Sequence, residues 1–386
     1  MALWQSGFRP FFLLAPGMAA LAAIGWIAVL RGAVVVRGPL AGVDLHVHEM
    51  VFGFIAAVIA GFLLTAVKNW TGRTPASPRV LGVLVAAYLI GRVAVVAEAA
   101  GAPRGVGAFE LVFMPLLALL LARPIVLARD RRNAGVASIV ALLAVADVLT
   151  HVAAWAGNMA LATSMRAAAL LLPCMLLAVI GGRVIPMFTR NVVIEQGAAV
   201  RTPGAIDRLA IAAIAAVTLV AVVAPFASPM RAVEPFVALV AGALTLLRMR
   251  GWASARTLST PILWILHVGY ACLGLGLLLR GVTQLSPGLL VSSVATHVLS
   301  IGAIATLCLG MMTRVALGHT GRLLAVPRPA VAGYVALMVA LVLRVAAAWR
   351  GALLDAAAVS FALAFVLFLA SYLTVLVRAR PDGAPG

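Results

Sequence analysis

The chain consists of long apolar runs separated by short polar interruptions. About 20 apolar residues in a helix cross the ~30 Å hydrocarbon core of a bilayer. A helix is required there, because backbone amides in lipid must be hydrogen-bonded within their own segment. The pattern predicts an all-α, polytopic transmembrane helical bundle that forms a single transmembrane domain over residues 1–386. The spans are about twelve in number, at 11–30, 45–67, 80–97, 107–128, 135–156, 167–188, 205–225, 233–248, 259–279, 289–313, 329–348 and 352–377.

Composition agrees with a lipid environment and excludes a nucleic-acid partner. Hydrophobic residues make up 64% of the chain and charged residues 10%, whereas a soluble protein carries roughly a quarter charged residues. The net charge of +18 comes from basic residues that punctuate the apolar runs, with no basic domain. Such residues are topology signals. We therefore expect the lipid bilayer, and no nucleic acid, as the surroundings of this chain.

The distribution of basic residues predicts the orientation. An even number of spans puts both termini on one side, and 18 basic residues fall on that side. The other side has seven, namely Arg31, Arg37, Arg104, Arg166, Arg231, Arg280 and Arg350. Because short cytoplasmic loops are enriched in Lys and Arg, we expect both termini in the cytoplasm. The stretch LHVHEM, at 45–50, then lies at the outer end of the second span.

The second and tenth spans share an internal repeat. In each, a histidine is followed by glycines five and thirteen residues later and by a Thr-Gly-Arg tripeptide that ends 25 residues later. The matched positions are His48, Gly53, Gly61 and Arg73 in one span and His297, Gly302, Gly310 and Arg322 in the other. The sixth span repeats only the last part of the pattern. A spacing of four spans favours three four-helix pseudo-repeats.

The histidines are the main candidates for chemistry. Five of the six lie within spans or at their outer ends, where a titratable group is costly and usually functional. For one such histidine a hydrogen-bonded structural role is an equal alternative, but five together favour ligation of iron or copper by neutral imidazole. The six are His46, His48, His151, His267, His297 and His319. The three cysteines lie in apolar runs without a CxxC or CxxCH motif, which argues against disulfides, a zinc ribbon and covalently attached haem.

The repeat suggests a haem site. His48 and His297 occupy matched positions, so two helices could offer imidazoles to the two faces of a haem. The haem would be non-covalent and of b type. His267, nearer the middle of the membrane, is an alternative haem ligand.

A separate copper site is a second expectation. On a helix, His46 and His48 point about 200° apart and cannot share a metal, although an extended stretch at 45–47 would let them converge. We therefore pair His46 with His151 as copper ligands, with Glu49 and Asp147 as hydrogen-bonding partners of the ligating histidines. The alternatives are a structural Asp147–His151 pair and a His46 that only caps its helix.

Several motifs together resemble those of the NnrS family. They cover nearly the whole chain: FRPFFLLA at 8–15, HVHEMVFGF at 46–54, AGFLLTAVKNWTGR at 60–73, GGRVIPMFTRN at 181–191, LHVGYACLGLGL at 266–277 and ATHVLSIGAIATLCLGMMTRVALGHTGR at 295–322. The resemblance implies a bacterial inner-membrane protein of about twelve spans, associated with haem, copper and the response to nitric oxide. It points to five histidines, namely His46, His48, His267, His297 and His319. Lys68 stands where the family pattern has proline, which affects local helix capping.

The expected function combines both lines of reasoning. We expect a haem-containing protein, with copper as a further metal, that binds or metabolises nitric oxide and protects against nitrosative stress during denitrification. Turnover would require electrons from an unidentified donor, and no catalytic residue is assigned. The alternatives are a copper or haem transporter or delivery protein, and a sensor or assembly factor without turnover.

Overall fold

The computed structural model describes residues 2–193, 199–289 and 291–383. Within these ranges the regular structure is helical, without strands. Among the described residues, twelve helices are long and apolar enough to cross a membrane: Phe8–Leu30 (α1), Val43–Thr71 (α2), Pro78–Ala99 (α3), Val106–Leu127 (α4), Arg131–Ala156 (α5), Met159–Val193 (α6), Gly204–Val223 (α7), Ser228–Gly251 (α8), Pro261–Leu285 (α9), Ser292–Gly318 (α10), Arg328–Ala346 (α11) and Gly351–Val377 (α12). The predicted multi-pass helical class is confirmed.

The predicted span boundaries differ most from the observed helix ends at α6. This helix begins eight residues before the predicted start at 167, because Asn158 caps it. The Asn158 side chain accepts a hydrogen bond from the Leu161 amide at 3.0 Å, a favourable helix start. The polar residues of the first turns hid this start in the hydropathy pattern. The predicted tenth span included residue 290, which lies outside the described residues.

The chain divides into two compact units. Unit 1 comprises Met1–Ala169, Met312–Leu324 and Phe365–Gly386, and unit 2 comprises Leu170–Met311 and Ala325–Ala364. Aromatic rings form part of the interior of unit 1, where Phe11 packs edge-on against Tyr88 at 6.0 Å between ring centroids. In unit 2, the backbones of α8 and α9 lie so close together that a Cβ on Gly242 would be only 2.7 Å from the Gly274 carbonyl oxygen. Small residues commonly permit such helix contacts in membranes.

Helices α2 and α10 each contain a π-helical segment directly after the repeat histidine. In α2 the π segment is Glu49–Ile55, and in α10 it is Val298–Ala305. A hydroxyl group donates to a carbonyl inside each segment: Tyr88 Oη to Gly53 O at 2.7 Å, and Thr306 Oγ1 to Ile301 O at 2.9 Å. These bonds satisfy carbonyls in an apolar interior. Single-turn π segments inside α-helices occur frequently at functional sites.

The two helices also end alike. The Thr71 hydroxyl donates to the Val67 carbonyl oxygen at 2.7 Å, and the Thr320 hydroxyl donates to Ala316 at 2.6 Å. Gly72 directly follows α2 and Gly321 lies three residues after the end of α10, and their φ angles are +68° and +67°. A left-handed residue after a helix is the usual place for glycine. The repeat seen in the sequence is therefore a repeat of local backbone structure.

Candidate functional site

His48 lies at the junction between the α-helical and π-helical parts of α2, and its imidazole is flanked by carboxylates. Nδ1 lies 3.1 Å from Oε1 of Glu49. Nε2 lies 3.1 Å from Oε2 of Glu110 and 3.4 Å from Oδ1 of Asp147. Only 1% of the His48 surface is exposed. With an ion at Nε2, a carboxylate at Nδ1 would hold the proton on Nδ1 and leave the Nε2 lone pair to bind the ion.

Helix α5 contributes two further groups from one of its faces. Asp147 and His151 are one turn apart, a spacing that places them on the same side of a helix. Nε2 of His151 lies 3.4 Å from Oε2 of Glu110, and the His151 ring stands nearly perpendicular to that of His48 at 5.1 Å between centroids. Both α5 residues are fully buried.

Four side chains therefore form a group that could hold a metal ion. His48, Glu110, Asp147 and His151 each offer one nitrogen or oxygen atom, and these atoms all lie within 4.8 Å of one another. A tetrahedral ion with bonds of about 2.0–2.1 Å holds its donor atoms roughly 3.3–3.4 Å apart. The nitrogen-to-oxygen distances of 3.1, 3.4 and 3.4 Å are close to that spacing.

The charges of this group also suit a cation. Arg92 pairs with Glu49 at 2.8 Å and with Glu110. Neither carboxylate oxygen of Asp147 has a hydrogen-bond partner among the described residues, although the residue is fully buried. A buried polar group without a partner carries a desolvation cost that a ligand can offset. Since three acids face one arginine, the site fits a bound cation.

Local backbone structure positions Glu110. The first part of α4, Val106–Val112, is a 3₁₀-helix that packs closely on neighbouring helices through glycines. A Cβ on Gly91 would lie 2.8 Å from the Cα of Glu110, and a Cβ on Gly107 would lie 3.3 Å from the His151 ring and would clash with Glu98. Glu98 organises the preceding loop by accepting hydrogen bonds from the amides of Gly105 and Gly107, at 2.6 and 3.2 Å.

Sequence reasoning missed Glu110 and the partners of Arg92. The signal that could have found them is the scarcity of acids, since the chain has only eleven. Glu98 and Glu110 lie at the facing ends of consecutive spans. An acid at the end of an apolar run is costly to bury alone, so it indicates a partner elsewhere in the fold.

The other predicted ligands of unit 1 are placed differently from this group. His46 lies on the same short helix as His48, Val43–His48, and stacks on Trp26 at 4.7 Å between ring centroids. It is not a member of the four-residue group, in which His48 lies beside His151. The His46–His151 copper pair stays a prediction. His319 follows α10 directly and contacts Phe8 at 5.9 Å, and burial together with the Arg380 charge lowers its pKa.

In unit 2, His267 and His297 have local partners. Nδ1 of His267 lies 2.8 Å from the Ser254 hydroxyl, and its Nε2 lies 2.8 Å from the Thr189 hydroxyl. Nδ1 of His297 donates to the Ser293 carbonyl oxygen at 2.7 Å. This bond leaves Nε2 as the lone-pair nitrogen of His297, whereas both ring nitrogens of His267 have hydroxyl partners. Haem ligation by His48, His297 or His267 stays a prediction.

Comparison with known proteins supports the resemblance seen in the motifs. No curated protein matches the chain. A family model described as "NnrS protein" matches residues 2–380, and the match includes the four side chains of the candidate metal group. Since it covers nearly the whole of a twelve-span helical chain, this multi-pass membrane protein belongs to the NnrS family.

Proposed function

We propose that this protein is a membrane metalloprotein of the nitric oxide response, in which His48, Glu110, Asp147 and His151 bind a divalent transition-metal ion. The observation that carries the proposal is the convergence of four buried donor atoms within 4.8 Å. Membership of the NnrS family supports the link to nitric oxide. When bound, a metal ion that expands from four to five ligands would supply a site at which a small diatomic molecule can coordinate.

The donor chemistry restricts the metal. Two imidazoles and two carboxylates suit iron(II), copper(II), zinc or manganese, whereas copper(I) prefers thiolate and thioether sulfur. The cysteines, Cys174, Cys272 and Cys308, are buried elsewhere in the described structure. The donor set therefore suits copper(II), as expected from the sequence, and equally the other divalent transition-metal ions named above.

The neighbouring residues have distinct tasks in this proposal. Glu49 accepts a hydrogen bond from the Nδ1–H of His48 and thereby orients Nε2 toward the metal. Arg92 offsets the charge of Glu49 and Glu110, so that the site does not concentrate three uncompensated acids in an apolar interior. Haem b is the second proposed cofactor, and the hydrogen bond from His297 Nδ1 to Ser293 O suits an axial ligand, since it fixes the tautomer.

Metal analysis of the purified full chain tests the proposal. Wild-type protein loaded with iron(II), copper(II), zinc or manganese should retain about one non-haem metal ion per chain. Asp147→Asn and His151→Gln each remove a donor, so metal affinity should fall at least 10–100-fold, the loss typical even for supporting partners. Nitric oxide should change the optical or paramagnetic resonance spectrum of the loaded wild-type protein.

A matched control separates this site from general damage. His267→Gln removes a buried histidine of unit 2 that is outside the four-residue group and should leave the non-haem metal content unchanged. The haem Soret band, measured in the same samples, reports haem independently. Wild-type metal affinity in both Asp147→Asn and His151→Gln would overturn the proposed site, and rapid metal release into vesicles would favour a transporter.

A further inference from the structure

A small cavity lies against the candidate metal group in unit 1. Its volume is about 20 Å³, and its wall includes His48 together with residues of α2, α5 and α6. A volume above roughly 10–15 Å³ accommodates one water-sized molecule. The cavity therefore has room for a single small molecule beside a histidine of the metal group.

The walls of the cavity are mostly apolar. Phe52, Ala154, Ala162 and Met165 contribute to the lining. Ala154 and Ala162 are partly exposed, whereas Phe52 and His48 are buried. The cavity is thus lined by partly exposed residues as well as by the buried His48, and its apolar lining favours an uncharged occupant.

An ion pair forms part of the cavity lining. Asp44 and Arg166, both lining residues, pair at 2.5 Å with about 30% of each side chain exposed. Arg166 also donates to the Thr163 hydroxyl at 2.8 Å, which holds the guanidinium in place along α6. Since each charge is already paired, neither is available to attract a charged ligand.

We propose that this cavity admits a small neutral molecule of diatomic size to the metal group, and that the Asp44–Arg166 pair narrows its mouth. The inference rests on the proposed function, because nitric oxide is the ligand considered. The proposal adds a route by which the ligand reaches the metal group, and it gives a role in that route to residues that do not bind the metal. Ala162 and Ala154 set the width of the route, and Asp44 and Arg166 set its opening.

Ligand-binding kinetics test the route on metal-loaded protein. Ala162→Leu fills the cavity and should slow the nitric oxide on-rate at least tenfold with unchanged metal content. Ala86→Leu, on an exposed position of α3, adds the same side chain away from the cavity and should leave the rate unchanged. Asp44→Asn releases Arg166 and should raise the on-rate several-fold.

A second measurement needs no metal. In metal-free Ala154→Cys protein, methyl methanethiosulfonate should modify the new thiol, and an added Ala162→Leu substitution should slow that reaction at least tenfold. The native cysteines are buried, and the unmodified parent gives their background rate.

The outcomes distinguish the two proposals. Wild-type rates of both nitric oxide binding and thiol modification in the filled variants would overturn the route while leaving the metal site standing. An unchanged on-rate in Asp44→Asn would overturn the role of the ion pair. Loaded wild-type protein that binds no nitric oxide would overturn the proposed function, and the route with it.

Discussion

At the scale of single residues, Arg92 is the charged group on which the candidate site most depends. It is 5% exposed, and its guanidinium contacts Glu49 and Glu110. Helix α3 can therefore bury the Arg92 charge, because acids from two other helices compensate that charge. Burying an ion pair is a poor source of stability, but removing one partner leaves an uncompensated charge.

Arg92→Gln should accordingly destabilise the protein by about 3–5 kcal/mol, the usual cost of breaking a buried pair. Unfolding of the detergent-purified protein measures the change. Arg79→Gln provides the control, because Arg79 lies exposed on the same helix and surface substitutions usually change stability by less than about 0.5 kcal/mol. Equal stability of the two variants would contradict the role of Arg92.

At the scale of elements, α2 and α10 are two copies of one design. Each has a histidine at the end of a short α-helix, then a π segment, then a longer α-helix. A left-handed glycine follows, directly after α2 and three residues after the end of α10. A π segment changes the direction in which the preceding residues point relative to the rest of the helix. In α2 this geometry accompanies the placement of His48 against Glu110 and Asp147.

The helix ends give a prediction for the repeat. Gly72→Ala and Gly321→Ala place a Cβ at positive φ, which costs about 1–2 kcal/mol at each position. Gly82→Ala is the control, since Gly82 lies inside helix α3 with open space around the new Cβ and should be neutral or stabilising by up to about 1 kcal/mol. Unfolding free energies compare the three variants. A destabilisation by Gly82→Ala as large as the others would show that positive φ is not the cause.

At the scale of the whole molecule, twelve apolar helices make the chain a multi-pass membrane protein. Its insertion depends on the basic residues that flank those helices. The bias of 18 to seven between the two sides leads us to propose cytoplasmic termini. His46 and His48 then lie toward the outer surface of the membrane.

Reporter fusions test this orientation. A fluorescent reporter at the C-terminus should be active and a periplasmic phosphatase there inactive. The same phosphatase fused after Trp349, in the loop between α11 and α12, should be active, because one fewer span precedes it. The reverse pattern at both positions would overturn the proposed topology.

The apolar runs by themselves determined the class, the number of spans and most of their boundaries, because the bilayer imposes a helix length that is visible in hydropathy. The sequence also revealed the repeat, since equal spacings from His48 and His297 correspond to equal backbone structure. Only the tertiary structure decided which side chains meet. Glu110 joins His48 across more than sixty residues of sequence, and His46, two positions from His48, stacks on Trp26 instead. Hydropathy shows which segments form helices that face lipid, whereas the partners of a buried charge depend on how the helices pack against one another.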